Sequence, residues 1–393
     1  MVEKKYDVTI VGAGPAGCSA AFFLAKNGFK VLLADKTTFP RDKICGDGIS
    51  SAALNILEEM EVLKKIESID HHKIGYVKIS SPNGRMMTGR YPIVKNFRDY
   101  GYVVKRKEFD YVLFEHVKAL PNVHVLENFR VENLVYNKDK VTGVAGSHGD
   151  EKIDVFSDYI IGADGAHSKI AKKIGLFNDK NKHRAFAVRG YFEDVQDLSD
   201  AVEIHYDSQV MPGYCWIFPT GKTSANVGVG VFNRFNETKE AKELFDLFVR
   251  NNKFAERKLK NAKMKGPLKG FPLTLGSFGS KRSSGNVLLI GDAASFIDPL
   301  TGEGIYYALL SGKFAAEAIK KGEPNRLAGE YYEKMWAKKF KNREFMPGYL
   351  LQTLMGSRIA INAAVFIGSV SKKRATNMAG VISHVLPKYK MIF

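Results

Sequence analysis

The chain reads as an α/β protein with an α+β portion. Two strand–turn–helix units, one at the start and one after residue 286, frame a middle of short strands. Lys5–Val11 predicts a first strand. Gly12-Ala13-Gly14-Pro15-Ala16-Gly17 follows as a G-x-G-x-x-G turn, and Cys18–Asn27, rich in Ala, Phe and Leu, predicts a helix that Gly28 ends. Lys30–Ala34 predicts a second strand with Asp35 at its end. Each part of this Rossmann-like unit has a task. Gly12 permits the tight turn, Gly14 lets the backbone approach a pyrophosphate, and Gly17 lets helix and strand pack closely. Asp35, eighteen residues past Gly17, can accept hydrogen bonds from a ribose diol.

The remaining elements follow in order. Lys105–Asp110 opens an amphipathic helix running through Tyr111, Leu113 and Val117, and Pro121–Val125 supplies a short strand. Phe129–Phe156 reads as a β-meander turning at Asn137–Lys140. Tyr159–Ile161 is again a strand, with the Asp164-Gly165 turn behind it and a helix over Lys169–Ile174. Near the other end, Asn286–Ile290 predicts a buried strand. It feeds Gly291-Asp292 and the glycine-rich run Pro299-Leu300-Thr301-Gly302-Glu303-Gly304-Ile305, and Tyr306–Leu310 opens a helix. A helix N-terminus presents free N–H groups and a positive dipole end to an electron-rich or anionic group.

Composition bounds the rest. A chain of 393 residues exceeds what one core usually serves, so two or three subdomains are expected. The first strand starts too near Met1 to leave room for a secretory signal. Cys18, Cys45 and Cys215 form neither a disulfide framework nor a C-x-x-C pair, which points to a reducing cytosol and to no metal site. Cys18 and Cys215 read as packing residues, and His71, His72, His167 and His205 as core or surface residues without triad or metal partners.

The net charge of +17 is concentrated: residues 256–282 contribute +7 and residues 331–393 contribute +9. Any single Lys reads as solubilising surface, but this concentration argues for an anionic partner. No nucleic-acid module is present, so no nucleic acid is expected. The apolar stretch Arg358–Val370, with Lys372-Lys373-Arg374 after it, is too short to span a bilayer. It reads equally as an interfacial helix on an anionic membrane surface or as a buried C-terminal helix. The expected place is cytoplasmic, or peripheral on the inner face of the membrane.

Together the three motifs at residues 12–17, 164–165 and 291–305 resemble those of FAD-dependent oxidoreductases of the p-hydroxybenzoate hydroxylase fold, over about the first 330 residues. The resemblance implies a discontinuous FAD-binding domain (1–75, 100–180, 281–330), an inserted antiparallel-sheet substrate domain (76–99, 181–280) and a C-terminal helical region (331–393). It also implies that Gly12, Gly14, Pro15, Ala16, Gly17, Asp35 and Lys36 hold the ADP half of FAD. Arg106, Asp164 and Gly165 would lie near the diphosphate or flavin, and Gly291 and Asp292 at the ribityl chain. Pro299, Gly302, Gly304 and Ile305 would face the isoalloxazine edge, where negative charge gathers on reduction. The family more often has Glu where this chain has Asp35.

Two further segments are similar to those of geranylgeranyl reductases. Lys43-Ile44-Cys45-Gly46-Asp47-Gly48 resembles their K-x-C-G-x-G stretch, and Tyr214-Cys215-Trp216-Ile217-Phe218-Pro219 their Y-x-W-x-F-P core, although Pro212 stands two residues before the tyrosine where the family has three. Tyr214, Trp216 and Phe218 share one strand face, which reads as an ordinary sheet core or, with one of only two Trp in the chain, as an aromatic wall that would bind substrate. Cys45 and Gly46 would run past the flavin, with Cys45, Tyr214 and Trp216 as catalytic residues; Cys45 reads alternatively as a small residue packed beside a turn. The implied reaction is hydrogenation of an isolated C=C bond in a polyprenyl or other apolar substrate, by hydride from reduced flavin N5. NAD(P)H or a reduced iron–sulfur carrier would supply the electrons. The alternatives are a flavin monooxygenase of an aromatic or quinone-like substrate, a halogenase, and a non-catalytic lipid-binding flavoprotein.

Overall fold

Burial on both faces explains the first sheet. Lys5–Val11, Val31–Ala34 and Val287–Leu289 are short, nearly continuous apolar runs, as parallel strands covered on both sides require. The computed structural model describes residues 5–180, 183–211, 213–232, 240–322 and 327–391, and its largest sheet has eight strands. Glu151–Gly162 is one long strand where the sequence suggests the end of a meander and then a separate strand. Its first half pairs antiparallel with Lys140–His148, and its second half pairs parallel with Lys5–Val11 and with Val287–Leu289. Continuity of that strand ties the meander rigidly to the glycine turn.

The first helix spans Pro15–Lys26, three residues earlier than the sequence suggests, because Pro15 suits a first helical turn whose N–H groups are unpaired anyway. Gly28 follows its end with φ +85°. A Cβ at Gly17 would stand 1.8 Å from the Gly12 carbonyl oxygen, so helix and strand can meet only with glycine there. Across the helix, Ser19 Oγ donates to the Leu309 carbonyl at 2.6 Å, joining it to the long helix Ile305–Gly322.

A second, seven-stranded sheet runs Lys263–Thr274, Arg184–Glu193, Ala225–Phe232, Tyr214–Pro219, Ala201–His205, Tyr76–Ser80, Met86–Arg90. It departs from the antiparallel expectation at one place: Ala201–His205 and Tyr76–Ser80 pair parallel. These two strands come from distant parts of the chain, and no hairpin forces an antiparallel register on them. One face packs on the helix Ala241–Asn251 through Leu244, Phe245 and Phe248, with Cys215 in that layer. Pro212 lies outside the described residues.

The end of the chain is helical: Ala328–Trp336, a wider-turn stretch Ala337–Phe345, Met346–Met355, Arg358–Val370 and Lys372–Ile382. Among the described residues no single helix is long and apolar enough to cross a membrane. Ala328–Met355 with Arg358–Val370 would suffice jointly but is bent by 102°. Lys372–Ile382 lies on the strand Met86–Arg90 at such close range that a Cβ on Gly89 would be 2.1 Å from the Ala375 carbonyl oxygen. Leu351, Met355, Ile361, Val365 and Met378 of these helices share a core with Val77, Met87, Val202 and Ile204 of the second sheet.

Candidate active site

Between the two sheets lies a cavity of about 600 Å³. Its walls come from the ends of strands and the turns after them, where an α/β sheet leaves backbone N–H groups and side chains free to meet a ligand. One end is polar: Gly12, Gly14, Pro15, Ala16, Asp35, Lys36, Arg41, Arg106, Asp164 and Gly165 line it. The middle is framed by Lys43, Cys45, Gly46, Asp292, Gly302, Glu303, Gly304 and Ile305. Ile74, Tyr91, Val202, Ile204 and Ile382 give the cavity an apolar portion, and Tyr214, Trp216 and Phe218 lie against the middle, where a Cβ on Gly46 would stand 3.2 Å from the Phe218 ring.

Three residues expected at the cofactor stand off the cavity. Gly17 serves the helix–strand contact above. Gly291 has φ +57° and faces Ala16 Cβ, 2.9 Å from where its own Cβ would be. Pro299 packs on Gly348 and accepts a hydrogen bond from Gln352 Nε2 at its carbonyl, so it fastens the loop to the C-terminal helices. Their part is to shape the walls.

At the polar end the carboxylates are already engaged. Asp35 accepts from the Ala13 N–H at 2.8 Å and from Thr37, which fixes the glycine turn against the second strand. Asp164 accepts from Ser168 and from the N–H groups of Lys169 and Ile170 at the start of the short helix. Arg106 is buried and donates twice to Asp110 one helical turn on, at 2.6 and 2.8 Å, and Arg41 donates to the same carboxylate at 2.9 Å. Asp110 thus holds two guanidinium groups at the cavity wall.

The middle is tied together by the aromatic strand. Tyr214 Oη donates to the Thr301 carbonyl at 2.6 Å, and burial raises its phenol, so it stays neutral. The Trp216 indole packs on Gly228, where a Cβ would come within 2.1 Å of the ring; its Nε1 donates to Asn226 Oδ1 at 2.9 Å. Asn226 Nδ2 in turn donates to the Cys45 carbonyl and to Asp47 Oδ2, both at 2.8 Å. Burial pushes Asp47 up to about 6 against the hydrogen bonds from Tyr191 and Asn226. Burial also raises the Cys45 thiol, with Arg106 opposing, so a neutral thiol faces the cavity.

Several titratable groups at or near the cavity have no local signal in the sequence. Glu303, between Gly302 and Gly304, lines the cavity, and its Oε1 accepts the Tyr306 N–H at 2.9 Å; burial pushes its carboxyl up to about 7. Lys43 sits 3.2 Å from the centre of the Phe271 ring, and burial lowers it to about 8 although Asp292 opposes. Asp298 is fully buried and receives Lys388 Nζ from the end of the chain, which holds it ionised against the cost of burial. Asp298, Glu344 and His384 converge as metal ligands would, but the Lys388 ammonium bridges both carboxylates and supplies the cation. His205, expected as a core or surface residue, is fully buried away from the cavity lining, with Ser80 Oγ at 2.8 Å and Glu203 at 3.6 Å.

The cavity fits FAD. The lack of a Gly14 side chain keeps the turn open, with only Arg41 within 3.5 Å of a Cβ there. A Cβ at Gly302 would stand 2.5 Å from Tyr214 Oη, so only glycine lets the loop pass this close to the aromatic wall. The Ile305–Gly322 helix aims its N-terminus at the middle of the cavity, where a reduced ring gathers negative charge.

Sheet order, glycine turn and convergent helix define an FAD-dependent oxidoreductase. The FAD-binding-domain family matches residues 5–311, and the chain belongs to it, within the geranylgeranyl reductases. It is 34% identical over 343 residues to the digeranylgeranylglycerophospholipid reductase of Methanosarcina acetivorans, covering 84% of this chain and 80% of that one. It is 31% identical to the menaquinone reductase of Mycobacterium tuberculosis over 83% of this chain and 79% of the other. The crystal structure of a geranylgeranyl bacteriochlorophyll reductase-like protein from Thermoplasma acidophilum superposes with a TM-score of 0.85 at 27% identity, covering 96% of each chain.

Proposed function

We propose that this enzyme hydrogenates isolated C=C bonds of a geranylgeranyl or other polyprenyl chain. The observation that carries the reading is that one cavity is lined both by the polar residues that suit a dinucleotide and by an aromatic wall with apolar residues around it. The relative named for reduction of a digeranylgeranyl phospholipid supports the same substrate class.

In the cofactor site, Gly12, Gly14, Pro15, Ala16, Asp35 and Lys36 would hold the ADP half. Arg106, Asp164, Asp292 and Gly302–Ile305 would hold the diphosphate, ribityl and ring portions. When bound and reduced, FAD would supply a hydride from N5 to one alkene carbon, its electrons coming from NAD(P)H or a reduced iron–sulfur carrier. An unactivated alkene offers no carbonyl to polarise, so the protein must act by placement and by keeping water out. Trp216 and Phe218 form the flat wall that orients the chain, while Ile74, Val202 and Ile204 exclude water around it. The Glu303 carboxyl, protonated below about pH 7, delivers the balancing proton to the second carbon. Tyr214 holds the Thr301 carbonyl and so keeps the Glu303 loop in place.

The test is anaerobic. Photoreduced holoenzyme is mixed with detergent-dispersed geranylgeranyl lipid while flavin absorbance and product mass are followed. Flavin reoxidation with mass gains of two hydrogens per bond is the expected result. A requirement for O₂ with a gain of one oxygen would identify a monooxygenase instead.

A further inference from the structure

Residues 345–393 contain six Lys or Arg and no Asp or Glu. Within this stretch two helices leave apolar stripes uncovered. Met346–Met355 turns Tyr349, Leu351 and Met355 inward and exposes Met346, Leu350 and Leu354, spaced four residues apart on one side. Arg358–Val370 buries only Ile361, Val365 and Gly368; Ile359 is 82% exposed, Val370 66%, and Phe366 and Ile367 nearly half. Cations rim this surface. The Arg85 guanidinium lies 4.6 Å from the Phe366 ring centre, and Arg358, Lys372 and Lys373 are exposed at the helix ends. Exposed apolar side chains gathered on two successive helices with cations beside them mark a docking site.

We propose that this face docks on an anionic lipid bilayer, with Leu350, Leu354, Ile359, Phe366 and Val370 in the acyl boundary and Arg85, Arg358, Lys372 and Lys373 among the headgroups. Charge argues for a lipid surface over a second copy of the chain. A two-fold interface through this face would set each cation rim against its own image, whereas acidic headgroups neutralise the rim as the apolar stripe is buried. The position of the face argues the same way. Leu351, Met355, Ile361 and Val365, on the inner sides of these helices, pack with Val202 and Ile204 of the apolar portion of the cavity, and Ile382 of the next helix lines that portion directly. The same hydrophobic core thus joins the docking helices to the part of the cavity where, on the reading above, the prenyl chain is held. Docking itself does not depend on that reading.

The experiment is flotation of FAD-loaded protein with vesicles of phosphatidylglycerol and phosphatidylcholine, or of phosphatidylcholine alone. The protein is expected to float with the anionic vesicles, less so in high salt. The double variant I359E/F366E should weaken binding about tenfold or more, and K372E/K373E should remove most of the salt-sensitive part. Both pairs are exposed, so flavin absorbance, melting temperature and reduction of a short detergent-dispersed prenyl alcohol should stay unchanged. That separates failure of docking from failure of the reductase reading. Absence of vesicle binding by the parent protein, or full binding by I359E/F366E, would overturn the proposal. So would a parent dimer that the double variant converts to monomer without any vesicle binding, because the face would then belong to a second copy.

Discussion

Glu303 shows how burial sets the chemistry of a single side chain. Its neighbours Gly302 and Gly304 announce a tight loop in the sequence, but nothing local says that the carboxyl between them is desolvated; that follows from the cavity assembled around it. With its carboxyl up to about 7, the acid form predominates on the acid side of neutrality, so proton delivery falls as pH rises through about 7. Glu303→Gln keeps an oxygen for the Tyr306 N–H and should retain flavin, yet slow turnover by about 10²-fold or more and abolish that descending limb. Stability moves in the same direction. A carboxyl raised from its unfolded value of 4.5 contributes fully below that value and loses its contribution as pH rises through about 7. Melting temperatures of the variant should therefore fall less between acid and alkaline buffer than those of the parent. An unchanged pH–rate limb in Glu303→Gln would remove this residue from proton transfer.

At the scale of elements, the aromatic strand Tyr214–Pro219 was legible because strand periodicity alone puts residues 214, 216 and 218 on one face and Cys215 on the other. Trp216→Ala should cost about 3–5 kcal/mol by emptying a packed site, and should impair turnover while the flavin stays bound. Trp216→Phe keeps an aromatic wall but loses the ring atoms over Gly228 and the bond to Asn226, so its cost should be about 1–3 kcal/mol. Denaturant unfolding and flavin absorbance check both; loss of flavin from Trp216→Ala would place the indole's role at the cofactor. The turn Gly12–Gly17 was legible for a similar reason, since its geometry is local. What escaped the sequence depends on partners far along the chain. The parallel pairing of Ala201–His205 with Tyr76–Ser80 leaves no turn signal. The Arg106–Asp110 pair has helical spacing, but only the fold shows it buried with Arg41. Lys388 and Asp298, ninety residues apart, are both more than nine-tenths buried and fasten the end of the chain to the Pro299–Gly304 loop. Lys388→Met leaves the Asp298 charge without its cation and should cost about 3–5 kcal/mol in denaturant unfolding. A loss below about 1 kcal/mol would show that the strap is dispensable.

Across the whole molecule, the cavity draws on distant stretches of the chain, among them residues 11–50, 106, 163–169, 214–218 and 292–305. A ligand that touches all of them links the first sheet, the aromatic strand and the long C-terminal part at once. FAD is therefore expected to stabilise the entire fold by mass action, about 2.7 kcal/mol when free FAD stands at one hundred times its Kd. Removing FAD should lower the melting temperature of the protein, and adding it back should restore it. Asp292 is the sharpest probe of this coupling. It stands at the turn between the strand Val287–Leu289 and the loop that leads to Ile305, lining the cavity within the electrostatic reach of Lys43. Asp292→Ala should leave the unfolding of the FAD-free protein nearly unchanged, because no core packing is lost, while lowering both flavin content on purification and the melting gain on FAD addition. Comparing the two gains separates a cofactor contact from a structural one. Equal gains and equal flavin content in parent and variant would exclude Asp292 from the cofactor site, whereas a lower melting point without FAD would assign it to the fold alone.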